Sequence, residues 1–304
     1  MNSVVIEDNR YGEGANTLLV IGNGFDLNLG LRTSYRDFVR SPYWPFRGIR
    51  RIINHGLGCY LNRKSHDYWF NLEQSLKDYC MLKSKVCESR QKKIVFEYEE
   101  VVKQLSRFIR EAETGRIKRD SDAAKILKAC CDSLIPASIV TFNYTNLVDF
   151  AHKIGVDVGC NPIYVHGSIE TDNIILGFDE SANVSNEFSV MCKSLQPGYL
   201  ASQLSDRLSS YDNIILFGLS INAIDYPHFQ SFYSDLFKEG ATRKNVWLIV
   251  YDRNDAIRAQ TGLAGLMGRD IHALKEVSSF NVIEVSSPAG KQAIDELCER
   301  INPS

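Results

Sequence analysis

Short runs rich in Val, Ile and Leu recur along this chain, and they constrain its fold more than any other feature. They lie at residues 17–21, 138–142, 163–165, 174–176, 213–217, 246–251 and 281–285. Each is continuous rather than alternating, which predicts strands buried on both faces, as in a parallel sheet covered by helices. Helical patterns lie between many of them. The expected class is therefore α/β: a Rossmann-like, doubly wound, mostly parallel sheet.

Residues 41–125 interrupt this rhythm. Ile94, Tyr98, Val101, Val102, Leu105, Phe108 and Ile109 form one stripe of a long amphipathic helix. Phe70, Leu72, Leu76 and Tyr79 suggest a second helix, Pro42 and Pro45 punctuate the entry, and a charged stretch at 113–122 marks the exit. The resulting division is a nucleotide-binding domain made of 1–40 and 126–304, with 41–125 as a helical insertion.

Charge narrows the partners. The 304 residues carry 35 basic against 37 acidic side chains, a net charge of −2. That gives no global signal for nucleic acid or an anionic membrane, and nucleic acid is not expected as a partner. The clusters Arg47, Arg50, Arg51 and Arg116, Lys118, Arg119 read as solvated faces. No apolar run approaches the ~18 residues of a membrane span, so no membrane contact is expected. The opening MNSVVIEDNR contains acids and lacks the apolar core of a leader. Eight cysteines are scattered with no C-x-x-C spacing, which predicts reduced thiols, a cytoplasmic location and no metal site.

The candidate chemistry sits where strands end. The first run leads into Gly22-Asn23-Gly24-Phe25-Asp26-Leu27, a glycine pair of the kind that lets backbone approach a phosphate or ribose at a helix N-terminus. Leu27 stands where the dinucleotide fingerprint has its third glycine, which disfavours an ordinary dehydrogenase. A tight βα turn needing positive φ is the plainer reading. Asn143 and His166 follow two further runs and would project into the crevice where open α/β sheets bind ligands. Either could equally be a hydrogen-bonded capping group. Histidine can serve as a general base, and asparagine can hold a ribose hydroxyl or a water. Gly218, Ser220 and Asp252 close two more strand ends.

Those residues carry a resemblance. IGNGFDLNLGLRTSYRDF (21–38) closely resembles the opening block of the AbiH family of bacterial phage abortive-infection proteins. TFNYT (141–145), VHG (165–167), FGLS (217–220) and the segment from Trp69 to Glu73 are similar to that family's later blocks. More distantly, the order of blocks resembles the sirtuin-like NAD-binding fold. On that resemblance Gly22, Asn23, Gly24, Phe25 and Asp26 form the turn around NAD, while Asn143 lies near the nicotinamide ribose. His166 is then the catalytic base, and Gly218, Ser220 and Asp252 contact the adenosine side. The sirtuin zinc cysteines have no counterpart, so the resemblance implies nicotinamide–ribose cleavage, as in sirtuin-like defence NADases, rather than peptide deacylation.

Two functions follow. One is an anti-phage enzyme that binds and cleaves NAD or a related nucleotide through an oxocarbenium-like cation, which Glu73 would stabilise unless it faces solvent. The other is a nucleotide-binding sensor or interaction module without turnover. Expected partners are a nucleotide and either a second copy of the chain or a phage-derived trigger. A nuclease is disfavoured, because no carboxylate cluster for Mg²⁺ stands out.

Overall fold

The computed structural model describes residues 16–47, 56–67, 71–82, 88–178, 186–199, 201–221 and 225–303. Arg50, Arg51, Trp69 and Phe70 lie outside the described residues. The first unit is β1 (Thr17–Ile21), α1 (Asn23–Asn28) and α2 (Tyr35–Arg40). Helices α3 (Leu57–Lys64), α4 (Leu72–Leu82), α5 (Glu88–Ala112) and α6 (Asp122–Asp132) follow, then β2 (Ser138–Thr141), α7 (Leu147–Ile154) and β3 (Ile163–Tyr164). A small ribbon, β4 (Gly167–Ser168) with β5 (Asn173–Ile174), precedes two 3-10 turns at Asn186–Met191 and Lys193–Leu195. The second half runs α8 (Ala201–Ser210), β6 (Asn213–Phe217), α9 (Tyr226–Leu236), β7 (Asn245–Val250), α10 (Arg253–Met267), α11 (Ile271–Val277), β8 (Ser279–Glu284) and α12 (Pro288–Ile301).

The main sheet has six strands in the order β3-β2-β1-β6-β7-β8, and every pairing is parallel. Counting only these strands, the order is 3-2-1-4-5-6, that of the dinucleotide-binding doubly wound folds, with its switch point between β1 and β6. Alternation along each strand explains the continuous apolar runs. Leu19, Ile21, Ile215, Phe217, Trp247 and Ile249 face α1, α6, α7 and α12. Leu18, Val20, Ile214, Leu216, Val246 and Leu248 face α8 to α11. Both faces are buried, so the central positions of these strands are apolar, and the buried polar residues Thr17, Thr141 and Asn213 lie at strand ends.

One expected strand is corrected. The run 174–176 does not join the main sheet: only its first residue is in a strand, the antiparallel partner of Gly167. Ile175 and Leu176 are apolar because they are buried, and Leu176 lies among the residues of a third core.

That third core shows how the helices between 41 and 112 are held. The described residues of this stretch contain no strand. Their apolar side chains, among them Leu61, Leu72, Leu76, Ile94, Val101 and Leu105, pack with Phe38 of α2 and with Tyr144, Phe178, Phe188 and Met191. The Tyr98 hydroxyl donates to the Leu176 carbonyl at 2.7 Å. The helical layer thus closes its core with the segment 144–192 rather than by itself. No helix among the described residues is long and apolar enough to cross a membrane.

Candidate active site at the carboxyl edge of the sheet

The glycine turn is built for turn-to-turn contact. Gly22 is the N-cap of α1 with extended backbone (φ −116°), so positive φ is not what requires glycine there. A Cβ on Gly24 would stand 2.6 Å from Gly218 Cα, and one on Gly218 would stand 2.5 Å from Gly24. Gly218 has φ +66°, where side chains are strained. The Gly22 and Gly24 amides donate to the carbonyls of Phe217 and Gly218, at 2.9 and 3.0 Å. Those amides are therefore spent on joining β1 to β6, which corrects the expectation of a phosphate cradle at these two positions.

Behind the turn lies a closed polar network. Asp26, on the first turn of α1, is 1% exposed. Its carboxyl accepts from Asn143 Nδ2 at 2.8 Å and from Thr145 Oγ1 at 2.9 Å. Burial pushes the Asp26 pKa up to about 7, against the pull of the Thr145 and Asn143 hydrogen bonds. Asn143 Nδ2 also donates to the Gly22 carbonyl at 3.0 Å. An amide has two N–H donors, and both are now used inward. What Asn143 offers a ligand is its Oδ1, an acceptor.

His166 follows β3 and is 6% exposed. Its ring packs edge-on against Phe142, 5.2 Å between centroids, and stacks on Tyr199 at 6.3 Å. Nε2 lies 3.1 Å from Lys193 Nζ. An ammonium only donates, so Nε2 is the acceptor and the neutral ring carries its proton on Nδ1. Burial, then Lys193 and His228, hold the His166 pKa well below the usual imidazole range. Lys193, 1% exposed, also meets Glu73 Oε1 at 2.8 Å. Glu73 is buried on α4, so its solvent-facing reading is set aside.

Sequence reasoning brought several of these residues to one edge and misplaced others. Gly22, Asp26 and Asn143 touch, Gly24 and Gly218 touch, and His166 lies against the neighbours of Asn143. Phe25 does not face a crevice: it is fully buried against Phe217, edge-on at 5.3 Å. The Asn23 side chain accepts from Thr33 Oγ1 at 2.6 Å. Asp252 caps α10 by accepting from the Asp255 amide at 2.9 Å, and β6 separates its strand from β1. Ser220 is exposed beyond Gly218.

Sequence reasoning missed Lys193, Tyr199 and His228. His228 is fully buried, with Nε2 3.1 Å from the Tyr199 hydroxyl. Its spacing of four from Phe232 puts it on the inner stripe of α9, a signal that could have been read. Lys193 lies in a 3-10 turn without periodicity, where no pattern marks a buried cation.

No curated protein matches the chain. Residues 18–251 match the family model described as Bacteriophage abortive infection AbiH, and with most of its length matched the chain belongs to this family of phage abortive-infection proteins.

Proposed function

We propose that the carboxyl edge of the sheet takes a nucleotide, NAD or a close relative, as the molecular event behind the chain's role in abortive infection. The observation that carries this reading is Asn143, whose amide hydrogens are both held by Gly22 and Asp26 so that Oδ1 is left to accept from a ribose hydroxyl. The strand order and its switch point support the same site. The sirtuin-like comparison belongs to this proposal and rests on the order of the strand-end blocks.

Cleavage of the nicotinamide–ribose bond, with His166 as base, needs Nε2 to be released from Lys193. A ligand phosphate or carboxylate that drew the Lys193 ammonium away would do this, and Glu73 would then face the developing cation. The Lys193 contact also favours the second reading, a sensor that binds without turnover, since a base whose lone pair is already taken accepts no proton.

Calorimetry with NAD, ADP-ribose and ATP, followed by nicotinamide release with and without phage lysate, tests both. Asn143→Ala should weaken binding. His166→Ala should leave binding intact and lower turnover by roughly 10²–10⁴-fold if it is the base. Binding without release in either condition selects the sensor. No binding at millimolar ligand overturns the nucleotide reading.

A further inference from the structure

Charge is distributed unevenly along this nearly neutral chain. Between residues 32 and 66, seven arginines and one lysine stand against a single acid, Asp37, whereas the whole chain has a net charge of −2. Arg50 and Arg51 of this segment lie outside the described residues. Of the rest, Arg36, Arg40 and Arg47 line a groove of about 610 Å³ between α2, the turn that follows it, and the end of α3, together with Asn62, Ser65, His66 and Asp67 among others.

The charged lining of this groove is three arginines against one acid. Arg36 and Arg40 are one helical turn apart on α2, on one face, and both are exposed. Arg47 is exposed and reaches back to the Arg40 carbonyl at 2.8 Å, which holds its guanidinium beside the helix end. Among the described residues no carboxylate pairs with Arg40 or Arg47. The acid on the rim, Asp67, already faces Lys64 at 3.5 Å. The Trp44 indole N–H donates to Asn62 Oδ1 at 3.2 Å, which leaves the Asn62 amide its N–H groups to offer.

Guanidinium groups at Arg40 and Arg47 that face no carboxylate among the described residues fit a ligand that is all acceptor and repeatedly charged. Phosphodiesters are such a ligand, and the arginine fork matches phosphate oxygens two at a time. Asparagine amides such as that of Asn62 supplement arginine in phosphate contacts for the same reason. Trp44 is buried and offers no platform for stacking a base. We propose that this groove docks a nucleic-acid backbone by charge, independent of base sequence. The site is separate from the carboxyl edge of the sheet and does not depend on the nucleotide reading.

The test is fluorescence anisotropy of short labelled duplex and single-stranded probes of mixed sequence, titrated with the full chain between about 50 and 200 mM salt. Arg40→Glu/Arg47→Glu is compared with Lys275→Glu/Lys291→Glu, which makes the same charge change at two exposed sites elsewhere. The groove variant should bind about tenfold more weakly or worse, with a log–log salt slope shallower by about two, and the control should bind like the parent. If charge reversal lowers the melting temperature, Arg40→Gln/Arg47→Gln must reproduce the shallower slope. Equal loss in the control, no binding at low salt, or displacement by polyglutamate as readily as by unlabelled nucleic acid would each overturn the proposal. The last would mark an acidic protein as the partner.

Discussion

Two buried polar networks lie close together at the carboxyl edge of the sheet, and they are stabilised by different means. Asp26, Asn143, Thr145 and the Gly22 carbonyl come from the turns after two adjacent strands and are held by hydrogen bonds of 2.8 to 3.0 Å. Glu73, Lys193 and His166 come from a helix, a 3-10 turn and a strand end far apart in sequence, and a charge pair holds them. The first network tolerates burial because its carboxyl can keep its proton. The second tolerates burial only while both charges are present. Their responses to acid are therefore opposite.

Removing one member of the charge pair should be the most damaging change. Lys193→Met leaves the Glu73 carboxylate buried and uncompensated, and urea denaturation should show a loss of about 3–5 kcal/mol. Glu73→Leu/Lys193→Met should recover most of that loss. A single-variant cost below about 1 kcal/mol would mean that the pair is no more than a surface-type contact.

Proton linkage separates the networks next. The native state holds the Asp26 proton up to about pH 7, whereas the unfolded chain releases it near 3.8. Stability from this group is thus fully present in acid and is lost as pH rises from about 4 to 7. Asp26→Asn abolishes that dependence, so its stability relative to the parent should rise by about 3 kcal/mol across the interval. His166 acts in the other direction. Its native pKa is depressed, so stability is lost as pH falls below the ordinary value of 6.5 and the unfolded chain takes up a proton. Parallel curves for Asp26→Asn and parent would contradict the first assignment.

The smallest expected effect is at the rim of the first network. Thr145→Val removes one donor from Asp26 while keeping shape, and should cost about 1–2 kcal/mol in chemical denaturation. The cost should shrink at low pH, where the carboxyl is protonated and needs that donor less.

How much of this was legible follows from how each part is specified. Strand runs such as 213–217 are continuous because both faces are covered, and that signal is local. The stripe from Ile94 to Ile109 reads as one helix for the same reason, and α5 spans it. Gly22, Asp26 and Asn143 could be placed at one edge because strand ends in a parallel sheet share a side. The reason for the glycines could not be read, since the clash partner of Gly24 is almost two hundred residues away at Gly218. The run 174–176 was misassigned because apolarity reports burial, not the element that supplies it. Lys193 was invisible because only tertiary neighbours make a lysine in a 3-10 turn a buried cation.

The shared third core has a consequence for how such a chain can be altered by recombination. The helices between 41 and 112 lack a closed interior, since their inner face is completed by Tyr144, Phe178, Phe188 and Met191. They also supply Glu73, the counter-charge of Lys193. A chimaera that exchanges 41–125 alone would graft a foreign wall onto a native floor and leave a buried ammonium unpartnered. The unit of exchange is discontinuous: the helical layer travels with the segment from 144 to 193, or neither does.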